Sequence, residues 1–227
     1  MYVIAVLNQK GGAGKTTAVL SLAVAAQRAG RTAAIVDLDP QATACNWGDR
    51  RSGQTPVIVS AQPARLVHVL KSAQEAGAQF VVIDTPPRAE QAAMAAAKAA
   101  NLILIPCRPA IFDLDTIPTT LELIQHAGNQ CVAAILNGVP ARGARGEQAS
   151  DIIKALGIPV CPASFGHRAA FSDAGALGMS AQEYVPSGKA AAEIEQVYKF
   201  VCKLLKETTK KGVNNGQTSR FAASNER

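Results

Sequence analysis

The sequence predicts an α/β fold in which a mostly parallel sheet carries helices on both faces. Short apolar runs without polar alternation recur along the chain, as expected for strands that are covered on both sides. Stretches with apolar residues at helical spacing lie between these runs and would form the crossover connections. Hydrophobic residues make up 48% of the 227 residues and charged residues 18%, which is typical of a chain that buries a core.

The predicted strands and helices alternate along the chain. The first apolar run is followed by a glycine-rich loop and by a helix that Gly30 should end. Pro106 closes the fourth strand, and the last helix has apolar residues at helical spacing between Ile194 and Leu205. The predicted strands are residues 3–7, 32–36, 80–83, 102–105, 131–136 and 158–160. The predicted helices are residues 17–29, 89–100, 116–127, 146–156 and 190–206.

Composition divides the chain into one domain and a tail. Residues 1–207 are expected to form a single domain, because the alternating pattern continues through them. Residues 208–227 are dominated by polar and basic types, and we expect a disordered tail there. No stretch is apolar for long enough to predict a transmembrane helix, and the short apolar start favours a buried strand over a signal peptide. We therefore expect a cytoplasmic protein.

Charge and cysteine content narrow the functional classes. The formal net charge is +6 and the pI is near 9.2, which favours contact with polyanions. Five cysteines occur without a CxxC spacing, so reduced thiols are expected rather than disulfides or a shared iron–sulfur cluster.

A glycine-rich segment between the first strand and the first helix is the main functional motif. It reads Lys10-Gly11-Gly12-Ala13-Gly14-Lys15-Thr16-Thr17. The N–H groups of such a loop and of the helix that follows suit phosphate oxygens. Lys15 can reach the β- and γ-phosphates, and the Thr16 hydroxyl can bind Mg²⁺. Position 9 is Gln, so the general Gly-x₄-Gly-Lys-Ser/Thr pattern is not met, and Lys10 stands as an additional lysine.

Carboxylates follow two of the other predicted strands. Asp37 and Asp39 come at the end of the second strand, and Asp84 ends the third. The carboxyl ends of parallel strands are where such sheets bind ligands, and Asp84 could reach Mg²⁺ through water. From position alone, either Asp39 or Asp37 could order the metal and an attacking water. Pro86 and Pro87 stiffen the next loop, which suits a segment that senses the γ-phosphate.

Together these segments resemble the ParA/MinD family of deviant Walker A P-loop ATPases. The resemblance rests on Lys10, on the Asp-Leu-Asp-Pro-Gln sequence at 37–41 and on residues 81–87, and it covers roughly residues 1–205. It implies a P-loop ATPase domain over residues 1–207 that uses ATP and Mg²⁺. It also implies a homodimer on ATP binding, in which Lys10 contacts the nucleotide of the partner.

The resemblance assigns roles to individual residues. It makes Lys10, Lys15 and Asp39 catalytic, with Asp39 preferred to Asp37. Thr16, Asp39 and Asp84 are the implied metal site. The implied nucleotide contacts are Gly11, Gly12, Ala13, Gly14, Lys15, Thr16, Thr17 and Asn137.

Two further segments have less specific signals. Asn137 follows the fifth strand, and the resemblance implies that its amide reads the adenine, although a turn-forming Asn-Gly pair explains it equally well. Residues 106–115 resemble the proline-containing loop of partition ATPases, which places the region near Asp113 at the dimer interface.

The short chain resembles most the small plasmid-partition ParA proteins. This implies nonspecific binding to nucleoid DNA and a centromere-binding, ParB-like partner that stimulates hydrolysis. No histidine lies near the motif loops, so hydrolysis governed by positioning should be slow. No helix-turn-helix is apparent, and the DNA candidates are Arg168 and Lys189, with solvated surface charge as the alternative. The basic residues of the last third are Arg142, Arg145, Arg168, Lys189, Lys199 and Lys203.

Other functions of the same fold are open at this point. A membrane-associated positioning ATPase like MinD requires a basic amphipathic helix at the C-terminus. The last twenty residues lack a hydrophobic face, so no stable membrane association is expected. A ParA-like ATPase that positions a protein cargo would have the same core, and the sequence does not separate it from plasmid partition. The cysteine spacing argues against a reductase.

Overall fold

A seven-stranded parallel sheet forms the centre of the protein. The computed structural model describes residues 1–128 and 131–222, with side chains up to Thr208. The strands are β1 (Tyr2–Val6), β2 (Ala33–Asp37), β3 (Val57–Ser60), β4 (Phe80–Asp84), β5 (Leu102–Cys107), β6 (Val132–Val139) and β7 (Phe165–Gly166). Their order is β3-β2-β4-β1-β5-β6-β7, and each neighbouring pair is parallel. The predicted fold class is confirmed.

Helices cover both faces of this sheet. They are α1 (Lys15–Arg28), α2 (Thr43–Arg50), a 3₁₀ turn (Pro63–Arg65), α3 (Leu66–Glu75), α4 (Glu90–Ala99), α5 (Ile111–Leu114), α6 (Ile117–His126), α7 (Arg145–Ala155), α8 (Ala169–Ala176), α9 (Ala181–Tyr184) and α10 (Lys189–Ala222). Helix α1 ends as predicted at Gly30, which has a positive φ of 78°. There the Gly30 N–H donates to Gln27 O and the Arg31 N–H to Ala26 O, at 2.8 and 3.0 Å, which closes the helix end.

The core explains why the strands are apolar without alternation. In β1, Ile4 and Val6 pack in a cluster with α1 and α10, whereas Val3 and Ala5 pack in a second cluster with α3, α4 and α6. Both faces of the strand are therefore buried, and successive side chains on opposite faces are all apolar.

The structure differs from the sequence prediction at the two sheet edges. The predicted strand 158–160 pairs with β6 only at Val160, opposite Ala134, because Pro159 and Pro162 have no N–H to extend a ladder. The edge strand is β7 instead. At the other edge β3 was not predicted, and its Val57 and Val59 are 52% and 38% exposed. The sequence also did not predict four helices: α2 and α3, which precede and follow β3 in the chain, and the short α8 and α9.

Three expectations concern the chain as a whole. The predicted tail, 208–227, falls mainly on residues whose side chains lie outside the described part, and it stays a prediction. Within the described part no helix is long and apolar enough to cross a membrane. None of the five cysteines, which all lie in the described part of the chain, forms a disulfide, and Cys107 and Cys161 are buried.

Candidate functional site

The glycine-rich loop joins β1 to α1 at the carboxyl edge of the sheet. Gly12 and Gly14 have φ values of 71° and 97°, a backbone conformation that glycine adopts without a steric cost. A Cβ on Gly14 would also overlap the Asn137 side-chain amide. Glycine is therefore required at position 14 for two independent reasons, and the loop keeps the shape of a phosphate cradle.

Lys15 lies inside this loop. Its side chain is buried, and its Nζ donates to the backbone oxygen of Lys10 at 3.0 Å. Burial lowers the pKa of the Lys15 ammonium, and the nearby carboxylates of Asp84 and Asp39 act in the opposite direction. A phosphate in the loop would give this ammonium a full counter-charge in place of a carbonyl oxygen.

Lys10 lies at the outer end of the same loop. Its backbone N–H donates to Asn8 Oδ1 at 2.7 Å, and Asn8 Nδ2 donates to Pro106 O at 2.7 Å. The loop entrance is thereby tied to the end of β5. No described residue accepts a hydrogen bond from Lys10 Nζ or forms an ion pair with it. Lys10 is half-buried, and within the described part of the chain its ammonium has no hydrogen-bond or ion-pair partner.

The two aspartates at the end of β2, Asp37 and Asp39, have different surroundings. Asp37 is buried and uses both oxygens locally: Oδ1 accepts from the Asp39 N–H at 3.0 Å, and Oδ2 accepts from the N–H groups of Ala44 and Cys45 at 3.1 and 3.2 Å. Asp37 therefore caps α2. Asp39 is only half-buried, and one oxygen accepts from the Gln41 N–H at 2.9 Å. This geometry leaves Asp39, rather than Asp37, available to a ligand.

Asp84, at the end of β4, is buried without compensation. It is 1% exposed, and among the described residues neither carboxylate oxygen has a hydrogen-bond partner. Burial raises the pKa of the Asp84 carboxyl to about 7, and the nearby Thr16 and Lys15 oppose that rise. The Thr16 hydroxyl, however, does not reach ordinary hydrogen-bond geometry with Asp84. Buried polar atoms without partners require an explanation. A hydrated cation fits here, since Mg²⁺ prefers carboxylate, hydroxyl and water oxygens.

The loop after Asp84 is both fixed and strained. The Thr85 hydroxyl donates to Val6 O at 2.8 Å, which fixes the strand end against β1. Three residues further, Arg88 has a φ of 53°, in the left-handed region that costs a non-glycine residue about 1 kcal/mol or more. The stiff Pro86-Pro87 pair connects these two points, as a ligand-sensing loop would require.

Two side chains from the ends of β5 and β6 lie over the phosphate loop. Asn137 Nδ2 donates to Ala13 O at 2.9 Å, so this predicted nucleotide contact lies at the loop. The Arg108 guanidinium lies beside Gly12. Sequence reasoning treated the segment around Arg108 only as a dimer-interface loop. Arg108 is a cation directly after β5, and β5 neighbours β1. The strand order therefore has to be known before Arg108 can be assigned to the phosphate loop.

The two DNA candidates differ in their surroundings. Lys189 is exposed at the start of α10. The Arg168 guanidinium makes an ion pair with Glu193, whose Oε2 also accepts from the Gly166 N–H at 3.0 Å. Glu193 offsets the charge of Arg168 and connects β7 to α10. This makes Arg168 a weaker DNA candidate than its position in the sequence suggested.

A separate basic surface lies where α1 ends against α10. A cavity of about 540 Å³ is lined there by Ala29, Arg31, Tyr198, Lys199, Cys202, Lys203, Lys206 and Glu207. Arg28 is exposed beside it, in the adjoining cavity. The basic α1–α10 surface is defined by Arg28, Arg31, Lys199, Lys203 and Lys206. Only Lys199 and Lys203 belonged to the basic set considered from sequence, because the end of α1 was not expected beside α10.

A parallel sheet whose first strand runs through such a lysine- and glycine-rich loop into the first helix defines a P-loop nucleotide-binding protein. A family model described as "CobQ/CobB/MinD/ParA nucleotide binding domain" matches residues 4–181. The chain belongs to this family.

Individual relatives extend over nearly the whole chain. It is 34% identical over 206 residues to the maintenance of carboxysome distribution protein A of Halothiobacillus neapolitanus, with 86% of this chain and 94% of the relative covered. It is 26% identical over 221 residues to Protein ParA of Rhizobium radiobacter, with 92% and 98% covered. In fold it is similar to the septum site-determining protein MinD of Pyrococcus horikoshii, solved with Mg-ADP, at a TM-score of 0.72 and 24% identity, with 91% and 98% covered.

Family and fold together define the chemistry. The chain is an ATPase of the ParA/MinD type, and ATP with Mg²⁺ is its cofactor. The sequence-based expectations for family, enzyme class and cofactors are thereby confirmed.

Proposed function

We propose that this chain is a positioning ATPase that distributes a protein assembly, of the carboxysome type, over nucleoid DNA in the cytoplasm. The observation that carries the proposal is the 34% identity to a carboxysome distribution protein along 94% of that relative. Plasmid partition, the main function expected from sequence, becomes the second candidate and is favoured by the 26% identity to a ParA protein.

The ATP cycle follows from the site residues. Lys15 binds the nucleotide of its own subunit, Thr16 and Asp84 hold Mg²⁺, and Asp39 orients the attacking water. Lys10, which has no ion pair among the described residues, reaches the nucleotide of a second copy and completes its site. Hydrolysis that depends on positioning is slow until a partner protein stimulates it.

Two lysine variants test the dimer step. Lys15→Ala should abolish nucleotide binding, because the phosphates lose their buried counter-charge. Lys10→Ala should retain nucleotide binding by the monomer but lose the ATP-dependent dimer and stimulated hydrolysis. Nucleotide titration and light scattering with ATP measure the two steps separately. A Lys10→Ala protein that dimerises and hydrolyses ATP normally would show that Lys10 does not act across an interface.

Contact with DNA is supported by charge rather than by a reading helix. The basic α1–α10 surface and the exposed Lys189 suit duplex phosphates without sequence recognition. ATP-dependent retention on nonspecific duplex DNA at low salt tests this part. If the ATP-bound protein passes over DNA without retention, nucleoid binding is wrong even where ATPase activity is normal.

The two cargo candidates predict different partners and phenotypes. A carboxysome-type cargo requires an adaptor that binds the protein assembly, whereas plasmid partition requires a centromere-binding, ParB-like protein. Deleting the gene in its host should cluster labelled protein assemblies and leave plasmid inheritance unchanged. Increased plasmid loss with evenly spaced assemblies would instead select partition. Reintroducing Lys15→Ala is the matched control, because it retains the chain but removes nucleotide binding.

A further inference from the structure

Arg108 places a guanidinium directly over the phosphate loop. A Cβ built on Gly12 would lie 3.4 Å from Arg108 Nη2 and 3.9 Å from its Cζ. The side chain of Arg108 is exposed to solvent. Its position is therefore not imposed by burial in the core.

The backbone fixes Arg108 relative to the loop. β5 pairs with β1 in parallel, so the residues after both strands emerge at the same edge. Asn8, just before the loop, donates from Nδ2 to Pro106 O, and the Ala110 N–H donates back to Arg108 O at 2.8 Å. The bond from Asn8 ties the carboxyl end of β5 to the start of the phosphate loop, and the bond from Ala110 fixes the turn at Arg108.

The charge of Arg108 has no counter-charge in the described part of the chain. No described carboxylate forms an ion pair with its guanidinium. The carboxylates near Lys15 lie on the other side of the loop, at the ends of β2 and β4. A planar fork of donors held beside a phosphate loop suits phosphate oxygens better than a lysine would.

We infer that Arg108 contacts the phosphate chain of the nucleotide bound in its own subunit. Its guanidinium lies beside Gly12 of the loop that cradles the phosphates, and Asn137 reaches Ala13 of the same loop from the next strand. Arg108 is thus a third cation at the site, beside Lys15 in the same subunit and Lys10 for the neighbouring one. This inference deepens the nucleotide site and depends on neither the DNA nor the cargo proposal.

Nucleotide affinity of the full-length monomer tests the inference. Dissociation constants for fluorescent ADP and ATP analogues with Mg²⁺ are measured at protein concentrations where no dimer forms. Arg108→Ala should weaken both nucleotides by about tenfold or more, since a charge-assisted hydrogen bond is lost. Arg108→Lys should recover part of that loss. Arg65→Ala, which removes an exposed arginine from the 3₁₀ turn, is the matched control and should change nothing.

A second measurement separates contact from structural support. Because the Arg108 side chain is exposed and forms no ion pair with described residues, the melting temperature of the nucleotide-free protein should stay the same in Arg108→Ala. Unchanged affinities for both nucleotides would overturn the inference. So would normal monomer affinity with loss of the ATP-dependent dimer, because Arg108 would then act across the interface. A lower melting temperature without nucleotide would assign Arg108 a structural role and would equally overturn it.

Discussion

Asp37 and Asp84 lie opposite each other in the paired strands β2 and β4 but have contrasting surroundings. Asp37 accepts three backbone N–H groups, whereas Asp84 has no hydrogen-bond partner among the described residues and is also repelled by Asp37 and Asp39. A carboxylate that folding desolvates without compensation destabilises the ligand-free protein. A Mg²⁺ ion bound at this position would supply the missing positive charge.

The ligand-free protein should therefore lose stability as pH rises from about 4 to 7. The pKa of Asp84 is raised to about 7 in the folded state, against roughly 3.9 in an unfolded chain. The folded state binds the Asp84 proton more tightly than the unfolded chain does, so protonation stabilises the folded state. This stabilisation is complete below the unfolded-state pKa of Asp84 and is lost as the pH rises through its folded-state pKa. The loss amounts to at most ~4 kcal/mol.

Asp84→Asn isolates this effect. At pH 8, without metal or nucleotide, the variant should unfold at a higher urea concentration than the wild type. Its free energy of unfolding should be larger by roughly 2–4 kcal/mol. At pH 4 the difference should nearly vanish. Adding Mg²⁺ and ATP should then stabilise the wild type but scarcely the variant. Parallel urea midpoints of the two proteins across this pH range would contradict the assignment of the raised pKa to Asp84.

At the scale of elements, Asp37 connects strand β2 to helix α2. Its two oxygens hold the first N–H groups of α2 and the N–H of Asp39, so it fixes the helix start and the direction of the Asp39 side chain together. Helix α2 has no side-chain cap at its N-cap residue Ala42, which has a positive φ of 50°. The helix therefore depends on an acceptor from the preceding strand.

Asp37→Ala should destabilise the protein by about 2–4 kcal/mol, because one buried and two partly buried N–H groups lose their charged acceptor. Urea unfolding measures this loss, and ATPase activity should fall as well, because Asp39 is no longer oriented. Asp37→Asn retains an acceptor oxygen and should lose less. If Asp37→Ala unfolds like the wild type but no longer binds Mg²⁺, Asp37 belongs to the metal site and the separation of the two aspartates is wrong.

Local sequence predicts the central strands of the sheet but not its two edges. Strands β1, β2, β4, β5 and β6 are buried on both faces, and their apolar runs predicted them. Edge strand β3 has exposed valines, and Pro159 interrupts the pairing expected at the other edge, so local pattern is weak at both. Lys10, Lys15, Asp39 and Asp84 were predicted from motif spacing, because their motifs follow apolar strands at the carboxyl edge of the sheet. Arg108 and Arg31 gain their positions only from strand order and helix packing, which local sequence does not encode.

At the scale of the molecule, helix α1 connects the phosphate loop to the basic α1–α10 surface. It begins at the phosphate loop and ends at Arg28, beside the basic α1–α10 surface. On that surface the ion pair of Lys199 with Glu195, at 2.6 Å, is solvent-exposed and offsets one charge, whereas Lys203 and Lys206 form no ion pair with a described residue. These two lysines are therefore the sharper probes of polyanion contact.

Reversing both charges should separate DNA binding from nucleotide binding. The double variant Lys203→Glu/Lys206→Glu should bind ATP like the wild type but lose retention on nonspecific duplex DNA by about tenfold or more at low salt. The slope of log affinity against log salt should fall by about two, since each phosphate contact contributes roughly 0.9. Fluorescence anisotropy of labelled duplex with Mg²⁺ and ATP measures both quantities.

Two controls make the comparison specific to this surface. Lys98→Glu reverses an exposed lysine on α4, across the sheet from α10, and should leave the salt slope near that of the wild type, because Lys98 lies far from the basic α1–α10 surface. Arg168→Ala removes the ion pair with Glu193 and should lower thermal stability more than DNA affinity. An equal loss of DNA binding in Lys98→Glu would indicate that net charge alone governs retention. If Arg168→Ala instead lowers DNA affinity more than thermal stability, Arg168 belongs to the DNA contact, as first predicted from sequence. Its guanidinium would then have to leave Glu193 to bind phosphate.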